Sequence, residues 1–279
     1  MNFLNPPDEH QDESSLFHII PAPYEGATSR GTGQRHGPEA VLRASQNLSY
    51  YDHRTGAEPY KHGARTHEDH AAHDDIHDAA TRHASLPSIP VFIGGDHSIT
   101  IPATQGLPQD TDAVILDAHA DMHYKWNGEK HNHACVTRHV STDRNVVVDG
   151  VRSMSKDEHR AAQQTEAVSL TTPGANPRDE SLRDQVHPSN DHDGLDPTII
   201  APHGTPEPNG YAYDDVLTII ERLLADRDVV SVDIVEFTPC DDEPARQHAE
   251  AHTVASLIHD VLAMITNTQK HGRSTEHHG

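Results

Sequence analysis

The chain has 279 residues, enough for one large domain, with 34% hydrophobic and only 4% aromatic side chains. Lys and Arg total 21 against 44 Asp and Glu, a formal charge of −23 that repels phosphate backbones and argues against nucleic-acid binding. No apolar run approaches the ~18 residues of a membrane helix. Two cysteines, Cys135 and Cys240, are too few for a disulfide framework or a four-cysteine zinc site. The first fifteen residues are acidic, contain Pro6 and Pro7, and do not resemble a signal peptide. A cytoplasmic protein with a flexible acidic N-terminus over residues 1–15 is therefore expected. Acid-rich and lysine-poor composition is that of a halophilic protein. Lys61, Lys125, Lys130, Lys156 and Lys270 are all its lysines, whereas His occurs 26 times.

In chain order, Leu16–Pro21 reads as a first strand, followed by a Gly- and Ser-containing loop to Gly33. Gly37-Pro38-Glu39 opens a helix, with Pro just inside its start and Val41 and Leu42 on one face. Residues 62–83 are polar and carry little core-forming material, although His70, His73 and His77 would share one helical face. Strands follow at Ile89–Ile93, Ala113–Leu116, Val146–Val148 and Val229–Val235. Short apolar runs separated by helix-length stretches suit a mostly parallel sheet covered on both faces. Two later helices carry apolar stripes: Val216, Ile219, Ile220, Leu223 and Leu224 in one, Val254, Leu257, Ile258, Val261, Leu262 and Ile265 in the other. A single α/β domain over residues 16–268 is expected, three-layered as α/β/α, with a disordered tail over 269–279.

Three segments gather metal-binding side chains. Gly94-Gly95-Asp96-His97-Ser98 directly follows one strand. Asp117-Ala118-His119-Ala120-Asp121 follows another, and its alternation sets Asp117, His119 and Asp121 on one face of an extended chain. Ser189-Asn190-Asp191-His192-Asp193 repeats the spacing with Asp191 and Asp193. Ligands of open parallel sheets bind beyond the carboxyl ends of strands, where the first two segments fall. Oxygen and imidazole donors without thiolate favour Mn²⁺.

These segments resemble the GGDH, DAHxD and SxDxDxxDP patterns of the ureohydrolase family, which contains arginase and agmatinase. Gly33–Ser45, Gly150–Glu158, Gly204–Gly210 and Asp233-Ile234-Val235-Glu236 resemble further stretches of that family, so the likeness spans residues 16–266. The resemblance implies an arginase-like fold and two Mn²⁺ ions. His97, Asp117, Asp121 and Asp191 would hold one; Asp117, His119, Asp191 and Asp193 the other, with Asp117 and Asp191 bridging. It further implies a metal-bridging hydroxide that attacks a guanidinium carbon, with urea and an amine as products. Asp121 would accept a proton, Glu236 would pair with the guanidinium, and His133 would pass a proton to the leaving amine.

The loop from Met122 to His133 is similar to that of agmatinase rather than arginase, so the substrate implied is agmatine, and the products putrescine and urea. Guanidinobutyrate, arginine or a larger agmatine-tailed molecule are alternatives, as are a single-metal hydrolase resembling the deacetylases and a non-catalytic metal- or polyamine-binding relative. The family likeness also implies a homo-oligomer, trimer or hexamer, acting on a small cationic guanidine. Departures from the pattern concentrate near Asp191. Gln185-Val186-His187-Pro188 is poorly apolar for a central strand, Pro188 removes a ladder donor, and Asn190 and His192 replace apolar residues. His192 could act as a stray ligand. The Gly-Thr-Gly-Thr-Pro spacing is altered around residues 201–204.

Overall fold

The computed structural model describes residues 1–26, 32–174, 181–200, 205–240 and 243–275, with side chains as far as Thr268. In chain order its elements begin β1 (Phe17–Ala22), α1 (Gly37–Ser45), β2 (Ala64–Thr66), α2 (His73–Ala84), β3 (Ile89–Gly94), α3 (Thr100–Gln105), β4 (Thr111–Leu116) and α4 (Val136–Val140). They continue β5 (Val146–Asp149), α5 (Lys156–Gln163), β6 (Val168–Thr171), β7 (Gln185–Asp191), α6 (Tyr213–Asp226), β8 (Asp228–Val229), β9 (Val232–Val235) and α7 (Pro244–Thr275). The strands form one sheet in the order β2-β1-β3-β9-β7-β4-β5-β6, with β8 also pairing with β7. Every pairing is parallel.

Alternation along the strands divides the core in two. Ile19, Val91, Ile93, Val114, Leu116, Val232 and Ile234 face one side, where they meet α1, α6 and α7. Ile20, Phe92, Ile115, Val146 and Val148 face the other, against α2, α3, α4 and α5. Both apolar stripes expected on α6 and α7 are buried in the first layer. Each large side chain withdrawn from water contributes about 1.5–3 kcal/mol. The result is the expected three-layer α/β/α architecture.

Five expectations need correction. The first fifteen residues are not a flexible arm: Phe3 and Leu4 are buried in the core, and their amides donate to Thr66 Oγ1 (2.8 Å) and Ser45 Oγ (3.0 Å). The polar segment 62–83 supplies an edge strand and a helix, with Ile76, Ala79 and Ala80 buried. His70 precedes that helix, so it does not share a helical face with His73 and His77. The run Val229–Val235 is split at Val230-Ser231 into β8 and β9. At the other end, the α7 backbone stays helical to Thr275, past the tail expected after Thr268, and residues 276–279 lie outside the described residues. So do residues 201–204, where altered spacing was noted.

The split explains how Pro188 is tolerated in a central strand. β8 pairs with β7 as far as Val186, and β9 takes over from Ser189. Pro188 sits in the gap, where its missing N–H removes no bond to either strand, while β4 pairs it with Val114. Polar residues of β7 are buried rather than solvated; His187 has a charged partner, whereas both amide atoms of the Asn190 side chain make no hydrogen bond. His187 Nε2 lies 2.9 Å from Asp233 Oδ2, both side chains fully buried, and Thr100 Oγ1 donates to the same oxygen at 2.8 Å. Burial opposes ionisation of Asp233, but His187 holds its carboxyl below the usual carboxylate range.

No helix among the described residues is long and apolar enough to cross a membrane. With 44 acidic against 21 basic side chains, the chain carries a net negative charge that repels itself. Screening shortens from about 10 Å at 0.1 M salt to about 3 Å at 1 M, and excluded ions strengthen apolar burial. The melting temperature is therefore expected to rise between about 0.1 M and about 2 M KCl, followed by circular dichroism. A flat or falling melting temperature would show that the acidic surface is no adaptation to salt.

Candidate metal centre

The residues that follow β3, β4 and β7 meet at the carboxyl edge of the sheet. After β3 the chain must pass close beneath Tyr24: a Cβ on Gly95 would lie 1.9 Å from the Tyr24 carbonyl oxygen, so only glycine fits. Asp96 then caps a single turn, accepting from the Ser98 amide at 2.9 Å and the Gly26 amide at 2.7 Å. That turn delivers His97 into the site. Ser189 Oγ lies 3.3 Å from His97 Nε2, which leaves Nδ1 facing the carboxylates.

Those carboxylates crowd the imidazole. His97 Nδ1 is 3.3 Å from Asp117 Oδ2, 3.3 Å from Asp121 Oδ2 and 3.1 Å from Asp191 Oδ2. His119 Nδ1 lies 2.9 Å from Asp193 Oδ2 and 3.6 Å from Asp117 Oδ1. Two ligand groups result, His97–Asp117–Asp121 and Asp117–His119–Asp193, each with donor atoms within 4.8 Å of one another. Asp117 belongs to both and presents a different oxygen to each histidine. Asp191 adjoins the first group through His97, and its other oxygen accepts the Asp193 amide at 2.9 Å. All six expected ligands are therefore together.

Packed negative charge dominates the electrostatics of the cluster. Burial, then the charge of Asp117, pushes the Asp121 carboxyl up to about 8. Burial and neighbouring Asp193 and Asp117 raise Asp191; burial, Asp191 and Asp96 raise Glu236. Burial opposes protonation of His119, yet its bonds to Asp117 and Asp193 push it up to about 12. His97 Nδ1 and Asp117 Oδ2 are buried and make no hydrogen bond. Divalent ions between these oxygens and nitrogens would satisfy both atoms and offset the packed negative charge. The donor set fits a pair of metal ions.

Glu236 and His133 line the same cavity, of about 280 Å³, with Asp117, Asp121 and Asp193. Glu236 follows β9, accepts the His97 amide at 2.7 Å through Oε1, and has φ of 67°. Asp121 is also in the left-handed region, at 48°. Two non-glycine residues held there at one site are a strain that the surrounding packing must maintain. His133 opens a single turn capped by Asn132. His192, by contrast, is no stray ligand: its Nδ1 bonds the Val235 carbonyl, its ring packs 5.3 Å from Phe237, and burial drives it down to about 4. A larger depression, about 850 Å³, opens near Leu86, Asp228 and Ile265, away from the carboxylates.

Three contributors were not singled out as functional from sequence. Arg152 donates to the carbonyls of Gly150 and Glu207, both at 3.0 Å, and to those of Asp193 and Leu195, tying down the loop that bears Asp193. Glu158 closes a capping box on Ser155, accepts the Met122 amide at 3.2 Å, and lies 3.4 Å from His123. Trp126 stacks on His123 at the cavity wall, with ring centroids 4.6 Å apart. The S-x-x-E spacing at Ser155 was a legible signal for Glu158; Arg152 and Trp126 carried none.

The arginase family's sequence profile matches residues 15–263, and the chain belongs to that family of ureohydrolases. It is 31% identical over 271 residues to the N(1)-aminopropylagmatine ureohydrolase of Thermus thermophilus, covering 90% of this chain and 91% of that protein. It is 30% identical to the agmatinase of Pyrococcus horikoshii, over 79% of this chain and 83% of that one. Among solved structures, the agmatine ureohydrolase of Thermoplasma volcanium superposes with a TM-score of 0.80 at 29% identity, covering 93% and 92% of the two chains.

Proposed function

We propose that the chain hydrolyses the guanidinium group of agmatine to putrescine and urea, using two Mn²⁺ ions. The observation that carries this reading is the pair of ligand groups sharing Asp117 in the cavity that Glu236 and His133 also line. When bound, the ions would supply Lewis acidity and a water activated near neutral pH. His97, Asp117, Asp121 and Asp191 would hold one ion, and Asp117, His119, Asp191 and Asp193 the other. Glu236 would bind the planar guanidinium through paired hydrogen bonds and fix its carbon for attack. Asp121 would accept the proton released by the attacking water, and His133 would return a proton to the leaving amine nitrogen. Arg152 would keep Asp193 in place by holding its backbone. The single domain, homo-oligomeric assembly as trimer or hexamer, and cytoplasmic location belong to the same reading.

The choice among guanidines rests on charge. Among the described residues lining the cavity there is no Lys or Arg, and the Arg152 guanidinium is engaged with backbone carbonyls. An α-carboxylate entering beside four aspartates would be left unpaired, a mismatch worth several kcal/mol. Agmatine is therefore expected to exceed arginine by at least about tenfold in kcat/KM, and guanidinobutyrate to fare as poorly as arginine. Urea release from each substrate checks this, and equal efficiency on arginine would overturn it. A second substrate, agmatine carrying an N-aminopropyl extension, is favoured by the relative of that name. The same assay decides between them by the ratio of the two kcat/KM values.

A further inference from the structure

A separate group of histidines converges at the β2–β1 edge of the sheet. His18 lies on β1, His67 just beyond β2 and His83 near the end of α2. His18 pairs in register with Arg65 and Pro90 inside these strands, whereas the carboxylate cluster lies at the carboxyl ends of β3, β4 and β7. One nitrogen from each of the three rings falls within 4.8 Å of the others. His18 Nδ1 and His67 Nε2 are 2.8 Å apart, and the His18 and His83 ring centroids are 4.2 Å apart with the planes tilted by 43°. His18 and His83 are buried and His67 half-buried.

Three observations distinguish this group from a set of core histidines satisfied by one another. His83 Nδ1 is held by Ser88 Oγ at 2.8 Å, which orients the ring and leaves Nε2 for another partner. Ligating histidines are commonly fixed through their second nitrogen in this way. His18 already turns Nδ1 into the group, 2.8 Å from His67 Nε2, while its buried Nε2 faces the Ser15 backbone. A depression of about 320 Å³ reaches His67 and His83 from solvent, and its wall carries Glu68, Asp69, Asp75 and Asp78 beside Arg82. That mouth attracts divalent cations. Burial, reinforced by the neighbouring histidines, also keeps the rings neutral, with His67 at about 4 and His83 at about 3. Neutral imidazole is the ligating form.

We propose that His18, His67 and His83 form a second metal site, distinct from the binuclear centre, that takes one Zn²⁺ or a similar borderline divalent ion. Three imidazoles without carboxylate or thiolate suit Zn²⁺, Ni²⁺ or Cu²⁺ and leave Mn²⁺ to the carboxylate-rich centre. Metal–nitrogen distances of about 2.0–2.1 Å require the His18 and His67 nitrogens to part by roughly half an ångström. His67, half-buried and outside any helix or strand, can move that far. A fourth, solvent-facing position remains at the depression. The ion would join β1, the segment after β2 and α2 into one unit at the sheet's edge.

The test is a metal count on the full chain, stripped with dipicolinate, reloaded with Mn²⁺ and then dialysed against Zn²⁺. Total metal per chain is read by plasma mass spectrometry for the wild type, His67→Gln, His83→Gln and, as a control outside the cluster, His77→Gln. The proposal expects each cluster variant to bind one equivalent fewer than the wild type, and His77→Gln to match the wild type. Urea release by the Mn²⁺-loaded cluster variants should stay within about twofold of wild type, showing the other centre intact. Zn²⁺ should also raise the melting temperature more in wild type than in either cluster variant. Should one variant fail to fold, the other gives the same reading. Equal metal content in wild type and a folded cluster variant would overturn the proposal, as would an equal loss in His77→Gln.

Discussion

Dialysis of the purified chain against a strong chelator is expected to abolish urea release, and Mn²⁺ is expected to restore it. The reason lies in the crowding at the carboxyl edge of the sheet. Asp117, Asp121, Asp191 and Asp193 are all buried, and oxygens of three of them stand 3.1–3.3 Å from one nitrogen of His97. Burial and neighbouring carboxylates raise Asp121, up to about 8, and also Asp191 and Glu236, so uncompensated charge drives all three toward taking up protons. A protonated Asp121 cannot accept a proton from water, and a protonated Glu236 cannot pair with a guanidinium through two accepting oxygens. Metal loss thus removes the activated water and disarms the residues around it. A second readout follows from mass action. Each ion present at 100 times its dissociation constant stabilises the fold by about 2.7 kcal/mol, so removing two should lower the melting temperature by about 10 °C or more. Full activity in protein shown by elemental analysis to be metal-free would refute the assignment.

The parts of this fold that could be read from sequence share a physical cause. β3, β4 and β5 are buried on both faces, so they appear as unbroken apolar runs, and two of the ligand motifs sit directly at the ends of β3 and β4. The stripe of α6 was equally plain because that helix buries one face, and that of α7 stood out although the helix is buried all round from Val261 to Thr266. β7 was obscured because its polar side chains are paid for by partners distant in sequence: His187 by Asp233 and Ser189 by His97. Docking of the first residues depends on two isolated side chains, Phe3 and Leu4, which no periodicity announces. Nor does periodicity announce the left-handed backbone at Asp121 and Glu236, set by the hydrogen bonds and packing around them. The histidine cluster is of the same kind. His18, His67 and His83 are unremarked singly, and only the parallel pairing of β1 with β2 and β3 brings them together.

Within the metal centre, Asp117→Asn is expected to be far more damaging than Asp193→Asn. Both changes keep the shape of the side chain and remove one charge. Asp117, however, belongs to both ligand groups, directing Oδ2 to His97 and Oδ1 to His119, whereas Asp193 belongs to one. Asp117 is also the more deeply buried, and its Oδ1 accepts the His119 amide at 2.6 Å, so it fixes the segment that carries the second histidine. An amide there offers one weak oxygen ligand where two carboxylate oxygens served, and turns its NH₂ toward a histidine or a metal. Losing both ions should reduce kcat/KM for agmatine by about 1,000-fold or more, close to 4 kcal/mol of transition-state stabilisation. Asp193→Asn weakens one ion only, and Arg152 still holds the loop through the Asp193 and Leu195 carbonyls. A loss of about 10- to 100-fold, partly recovered at high Mn²⁺, is expected there. Elemental analysis alongside kinetics separates the two cases: Asp117→Asn should retain almost no metal, and Asp193→Asn about half the wild-type content. Equal metal retention and equal rates in the two variants would show that Asp117 is not shared between the ions.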